Sequence, residues 1–122
     1  MAESPSFGEE PILGFEQRVR VRRVLHEEQT QFQALRVLET VPFGTMLVLD
    51  GAVQTTYADE ASYHEMLVHV PMLAHPAPTQ VLIIGGGDGG TLRRVLEHPG
   101  SYIEVMHVGG WKLVKRMIAV GK

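Results

Sequence analysis

The chain has 122 residues, 44% of them hydrophobic, which suffices for one domain, or a small domain plus a fragment of another, rather than two complete ones. Its formal net charge of −3 gives no general attraction to nucleic acid or anionic lipid, so a small or cationic ligand is the more natural partner. The absence of cysteine excludes a disulfide scaffold, a thiolate metal site and a cysteine nucleophile.

Residues 1–14 carry two prolines and two glycines without periodicity, and a flexible arm is expected there. The first twenty residues contain no long apolar run, hence neither a signal peptide nor a membrane span, and the expected compartment is the cytoplasm. From Arg18 to Leu25 and from Phe32 to Thr40 apolar and polar residues alternate, the mark of half-buried strands, with His26-Glu27-Glu28-Gln29 as a polar turn between them. A strand Met46–Leu49, an Asp50-Gly51 turn and a returning strand Ala52–Thr56 form a hairpin, because Asp-Gly tolerates positive φ at both turn positions. Residues 15–60 therefore read as a small antiparallel β-domain.

The period changes at Ser62. Tyr63, Met66, Leu67, Val70, Leu73 and Ala74 fall on one helical stripe, Ser62 and Glu65 form a capping box, and Pro71 should kink or end the helix early. After a proline-rich hinge, Val81–Ile84 has the fully apolar character of a buried parallel strand. A helix Thr91–His98, with Leu92, Val95 and Leu96 on one side, and a strand Tyr102–Val108 complete one strand–loop–helix–strand unit. The expected fold is α+β passing into α/β, with residues 61–122 as the incomplete first part of a Rossmann-like domain.

Between that strand and helix, Gly85, Gly87 and Gly90 have the G-x-G-x-x-G spacing, with Gly86 and Gly89 beside them. The glycines allow a tight turn and close backbone approach to a nucleotide. Asp88 discriminates among nucleotides: a carboxylate in this turn repels a pyrophosphate and favours an amine or a sulfonium. The missing Gly-Lys-Ser/Thr excludes a P-loop. An NAD-type dehydrogenase fragment fits the literal spacing, and Asp88 argues against it. His64 and His69 are five residues apart, about 140° around a helix, so they do not form a zinc motif, and no metal is expected. His69, His75 and His98 read as surface or helix-end residues.

The segments EEQTQFQ, FGTMLVLDGAVQTTYADE, YHEMLVHVPMLAHP and VLIIGGGDGGTLRRVLEH, spread over residues 26–98, resemble the spermidine synthase family. The combination of LDG, YHE and GGGDGG is far more specific than any one of them. The resemblance implies transfer of an aminopropyl group from decarboxylated S-adenosylmethionine to putrescine, giving spermidine and 5′-methylthioadenosine, with no metal and no bound cofactor. It implies that Gln33 and Gln54 contact the nucleoside, that Tyr63 and His64 line the amine site, and that Asp88 holds the amine of the transferred chain. It also implies homo-oligomers, with polyamine and nucleoside substrates as the partners and neither nucleic acid nor membrane.

The pattern departs from the family at its end. Where the family carries an acid for the ribose hydroxyls this chain has Val108, and after Glu104 it has no acid, only Lys112, Lys115, Arg116 and Lys122 as charges. A frameshift or early stop near residue 100 would produce such a tail. The family's proton-accepting aspartate falls beyond residue 122, so the chain alone is expected to be inactive. The alternative reading is a non-catalytic adenosyl-binding or regulatory fragment that associates with an intact synthase.

Overall fold

The computed structural model describes residues 5–106 and 114–116, and the chain divides into two units, residues 1–60 and 61–122. In the first, β1 (Ser6–Ile12), β2 (Phe15–Gln29), β3 (Ala34–Thr40), β4 (Gly44–Leu49) and β5 (Ala52–Thr56) form an antiparallel sheet in that order. The Asp50-Gly51 turn has φ of 49° and 81°, the two positive values that an Asp-Gly hairpin needs. Asp50 also ties this turn to β3, its carboxylate accepting from the Ala34 N–H at 2.8 Å. At the other end, the Val53 N–H donates to Glu9 at 2.8 Å, drawing β5 toward β1 and curling the sheet. The concave face buries Phe7, Val21, Leu38, Met46 and Val48 with Val53 against them, each contributing about 1.5–3 kcal/mol.

Two expectations are corrected here. The arm expected over residues 1–14 contains β1, because residues from Ser6 onward find backbone partners along β2 and Phe7 enters the core. The turn expected at His26–Gln29 is strand: all four residues pair with β3, and the polarity there reflects exposure rather than a reversal. Irregularities between Val21 and Arg23, and between Val24 and His26, break the alternation that would have marked one long strand.

The second unit contains α1 (Glu60–Ala74), β6 (Gln80–Ile84), α2 (Gly90–Val95), β7 (Tyr102–Met106) and β8 (Val114–Arg116). β6 and β7 are parallel, joined through α2 as a parallel pair requires, and β8 runs antiparallel to β7. Val68, Met72, Ile83, Val95, Ile103 and Val105 form its core, with Val81, Leu92 and Leu96 packed against them. The Thr91–His98 helix is shorter than its periodicity implied, while Val95, Leu92 and Leu96 face inward as expected. Val108 lies outside the described residues, as does the basic tail apart from β8.

α1 buries a different face from the one its apolar stripe implied. His64, Val68 and Met72, at i, i+4 and i+8, point into the unit, whereas Tyr63, Met66, Leu67, Val70 and Leu73 are exposed. The helix is apolar nearly all round, so periodicity alone could not choose the inner face. It also starts two residues before Ser62, after Asp59, whose carboxylate accepts from the Thr56 hydroxyl at 2.6 Å, so the capping box is not its start. Nor does Pro71 end it: Pro71 offers no N–H to the preceding turn, yet its carbonyl still accepts from the His75 N–H at 3.1 Å. On the opposite side of β6, Leu82 and Ile84 are exposed too.

Candidate functional site

The loop Gly85–Gly90 joins β6 to α2, and Gly85, Gly86 and Gly89 all take positive φ there, a conformation that side chains resist. This folds Asp88 back over the start of α2, where its Oδ1 accepts from the Gly90 N–H at 3.0 Å. Its Oδ2 lies 3.4 Å from Nε2 of His64, which is 3% exposed while the Asp88 side chain keeps 24% exposure. One carboxylate is thus fixed by a backbone donor and a buried imidazole, and still reaches solvent. A charge-assisted contact of this kind holds orientation more firmly than a neutral one.

Gly90 makes the arrangement possible. Its missing side chain leaves the space that the His64 ring fills, and a Cβ there would be driven into that ring. The Tyr63 ring stands edge-on to the His64 ring at a centroid distance of 5.1 Å, but Tyr63 itself is exposed. Sequence spacing singled out Asp88, His64 and the glycines separately. It did not reveal that Gly90 is the seat of His64, because the two are far apart in sequence and only α1 packing on the loop joins them.

Gln33 and Gln54 belong to the first unit. Gln33 sits in a turn closed by Thr30, whose hydroxyl donates to the Gln33 carbonyl at 2.9 Å and accepts from its N–H at 3.0 Å. Gln54 is exposed on β5, with its amide donating to the Ala52 carbonyl at 3.2 Å. Among the described residues no hydrogen bond joins these two glutamines.

A second polar cluster went unread in the sequence. His69 Nδ1 and His98 Nε2 are 2.8 Å apart, and His69 Nε2 is 3.2 Å from Glu97, which itself pairs with Arg94 at 2.8 Å. The cluster fastens α1 to the end of α2. Among the described residues no group of three or more His, Asp or Glu side chains is placed to hold a metal. The hydrogen bond from Arg94, with the nearby positive charges, holds Glu97 below its ordinary value of 4.5 against a smaller opposing effect of burial. A depressed folded-state pKa contributes stability above the unfolded value that is lost as pH falls through the folded one. Unfolding followed from pH 6 to 3 should therefore lose less stability in Glu97→Gln than in the wild type, and equal acid slopes would count against this pairing.

Comparison with known proteins decides the lineage. Residues 7–57 match the spermidine synthase tetramerisation domain and residues 60–108 the spermine/spermidine synthase domain. The chain belongs to the spermidine synthase family. A polyamine aminopropyltransferase of Desulforudis audaxviator is 64% identical over 80 residues, which are 66% of this chain and 29% of that protein. Polyamine aminopropyltransferase 1 of Bacillus cereus is 55% identical over 93 residues, 76% of this chain and 34% of its own length. The spermidine synthase of Thermotoga maritima superposes with a TM-score of 0.84 at 40% identity, over 89% of this chain and 39% of that one. A spermidine synthase solved in complex with the transition-state analogue AdoDATO superposes equally well, covering 38% of its chain. The chain thus spans about a third of the length of its curated spermidine synthase relatives, and the region matched is their N-terminal part. Among its described residues no helix is long and apolar enough to cross a membrane.

Proposed function

We propose that this chain supplies the adenosyl- and amine-holding part of an aminopropyltransferase site, acting on decarboxylated S-adenosylmethionine and putrescine. The reaction forms a bond from the putrescine nitrogen to the aminopropyl carbon beside sulfur and breaks the carbon–sulfur bond. 5′-Methylthioadenosine leaves with the bonding pair, and the attacking nitrogen gives up a proton. No cofactor takes part; the adenosyl compound is a co-substrate. Most of the rate gain in such a displacement comes from alignment, with a base accepting the proton.

In this reading Asp88 pairs with the ammonium of the aminopropyl chain, Tyr63 and His64 border the amine site, and Gln33 and Gln54 contact the nucleoside. The glycines 85, 86, 87, 89 and 90 let the backbone approach the adenosyl group. The proton-accepting aspartate belongs, by family resemblance, to sequence beyond residue 122. A cytoplasmic setting and association of copies through the first unit are part of the same proposal, the latter supported by the match to a tetramerisation domain. The observation that carries the proposal is the Asp88 carboxylate, oriented by Gly90 and His64 with one side open to a ligand.

Calorimetric titration tests it. Asp88→Asn should weaken binding of decarboxylated S-adenosylmethionine by about 10- to 100-fold, the worth of a hydrogen bond to a charged group. It should leave binding of 5′-methylthioadenosine, which lacks the amine, unchanged. Equal losses for both ligands would assign Asp88 to the loop rather than to the amine. For turnover, methylthioadenosine release should be absent from the chain alone and should appear when the remaining part of the Bacillus cereus relative is supplied as a second polypeptide.

A further inference from the structure

α1 is tied to α2 at both ends of the shorter helix. At the start of α2, the His64 ring fills the space beside Gly90 and meets Asp88. Past its last turn, His69 Nδ1 lies 2.8 Å from His98 Nε2, the two rings tilted at 52°. His64 and His69 are five residues apart, a rise of about 7.5 Å along the axis. The stretch joining them lies ahead of Pro71, so it moves as one piece of helix. A slide of α1 at His69 is therefore felt at His64. The contact of that ring with Asp88, at 3.4 Å, is long for a hydrogen bond and is lost with little movement.

Proton count decides whether the His69–His98 contact exists. His69 Nε2 is 3.2 Å from Glu97, whose carboxylate Arg94 hydrogen-bonds at 2.8 Å and keeps ionised to lower pH, so Nε2 carries a proton and donates. In neutral His69 the other nitrogen, Nδ1, is then an acceptor, and His98 donates to it from Nε2. One added proton is accommodated: cationic His69 donates from both nitrogens, and His98 accepts at Nε2 with its own proton on Nδ1. A second proton leaves two N–H groups and two positive charges facing each other across 2.8 Å, and the contact opens. The other charges around the pair are Arg93 and Arg94 from α2 and Glu65 from α1, which Arg94 reaches at 3.3 Å. Glu97 and Glu65 are thus both engaged by Arg94, which limits what they offset to the first proton.

We propose that His69 and His98 are positioning residues for the aminopropyl transfer: while they share a hydrogen bond they hold α1 where His64 orients Asp88, and a second proton on the pair releases it. This rests on the reading of Asp88 as the partner of the aminopropyl ammonium. Decarboxylated S-adenosylmethionine, whose ammonium needs that carboxylate, is therefore held less well in acid. 5′-Methylthioadenosine has no such group and is not affected.

The test compares the full chain with His98→Gln and His98→Leu. The glutamine amide donates to Nδ1 or accepts from it but takes up no proton, and leucine makes no bond. In calorimetric titrations at pH 8, His98→Gln should bind decarboxylated S-adenosylmethionine as the wild type does, and His98→Leu about tenfold more weakly, the worth of a lost hydrogen bond. Between pH 8 and pH 5 the wild type should lose about tenfold more affinity than His98→Gln, since any titration of His64 is common to both and cancels. Methylthioadenosine affinity should be equal in all three. Parallel loss of both ligands in His98→Leu, or equal pH profiles for the wild type and His98→Gln, would overturn the proposal.

A second measurement needs no ligand. Nitrogen-15 imidazole spectra of the free chain at pH 8 should show His69 and His98 each protonated at Nε2. The His64 signals should move in His98→Leu and stay in place in His98→Gln. Unmoved His64 signals in His98→Leu, or a proton on Nδ1 of His69 at pH 8, would also overturn it. Failure of the aminopropyltransferase reading would appear separately, as no binding of decarboxylated S-adenosylmethionine to any of the three proteins at pH 8 while the His64 response persists.

Discussion

Alanine at position 90 is expected to break the candidate site outright. The Cβ would occupy the volume of the His64 imidazole, and that ring, 3% exposed, has no solvent side to retreat to. Forcing extra volume into a packed interior costs about 1–3 kcal/mol or more. Relief requires either α1 to shift or the glycine loop to lift. Both separate His64 from Asp88, and lifting the loop also disturbs the Gly90 N–H that orients the carboxylate. The urea midpoint should fall and binding of decarboxylated S-adenosylmethionine should be lost together. A companion change distinguishes this cause from a general loss of glycine flexibility: Gly90 has no positive φ, so the penalty is contact and not backbone strain. His64→Ala combined with Gly90→Ala should then be more stable than the two single losses add up to, the signature of residues in contact. Additive losses, or an unchanged midpoint for Gly90→Ala, would remove His64 as the obstacle.

Much of the fold was legible because several signals are local. The Asp50-Gly51 turn specifies its hairpin through the φ values it tolerates, and the apolar run ending in glycines specifies a buried strand entering a ligand loop. What was not legible depends on partners distant in sequence. β1 looks like an arm because Pro5, Gly8, Pro11 and Gly14 punctuate it, and only the length of β2 alongside turns those residues into a strand. α1 carries apolar residues on both its inner and outer faces, and the outer set forms the more regular stripe, so the pattern pointed the wrong way. The inner face is selected by His64, a residue no hydrophobic period counts. At the site, charge reasoning on Asp88 needed only the loop itself, whereas its neighbour His64 and the His69–His98 contact require two helices to be brought together. The exposed Tyr63, Met66, Val70 and Leu73, with Leu82 and Ile84 on β6, have the composition of interior surface. This agrees with a chain that matches only about a third of its relatives' length.

Leu38→Ala should have the largest effect on the first unit. Leu38 is fully buried on β3 and belongs to one core cluster with Val21 of β2 and Met46 and Val48 of β4, so the cluster it anchors spans three strands. Removing it forfeits transfer free energy and leaves a cavity, about 2–5 kcal/mol for a leucine in a core. The strands around it have little freedom to close in, because Asp50 holds β3 to the following turn and Glu9 holds β1 to β5. A core of five buried side chains has little to spare. Amide exchange should accelerate across β2, β3 and β4, beginning with the pairs Val24–Leu38 and Leu38–Met46. Gln33 leads into β3 and Gln54 lies on β5, so under the proposed nucleoside role of these two glutamines methylthioadenosine affinity should fall with the loss of structure, although neither has been touched. Leu38→Met, which keeps the volume, should retain both protection and affinity to within about 1.5 kcal/mol. If Leu38→Ala opened the sheet while leaving nucleoside binding intact, the two glutamines would have no part in the adenosyl site, and that portion of the proposed function would have to be given up.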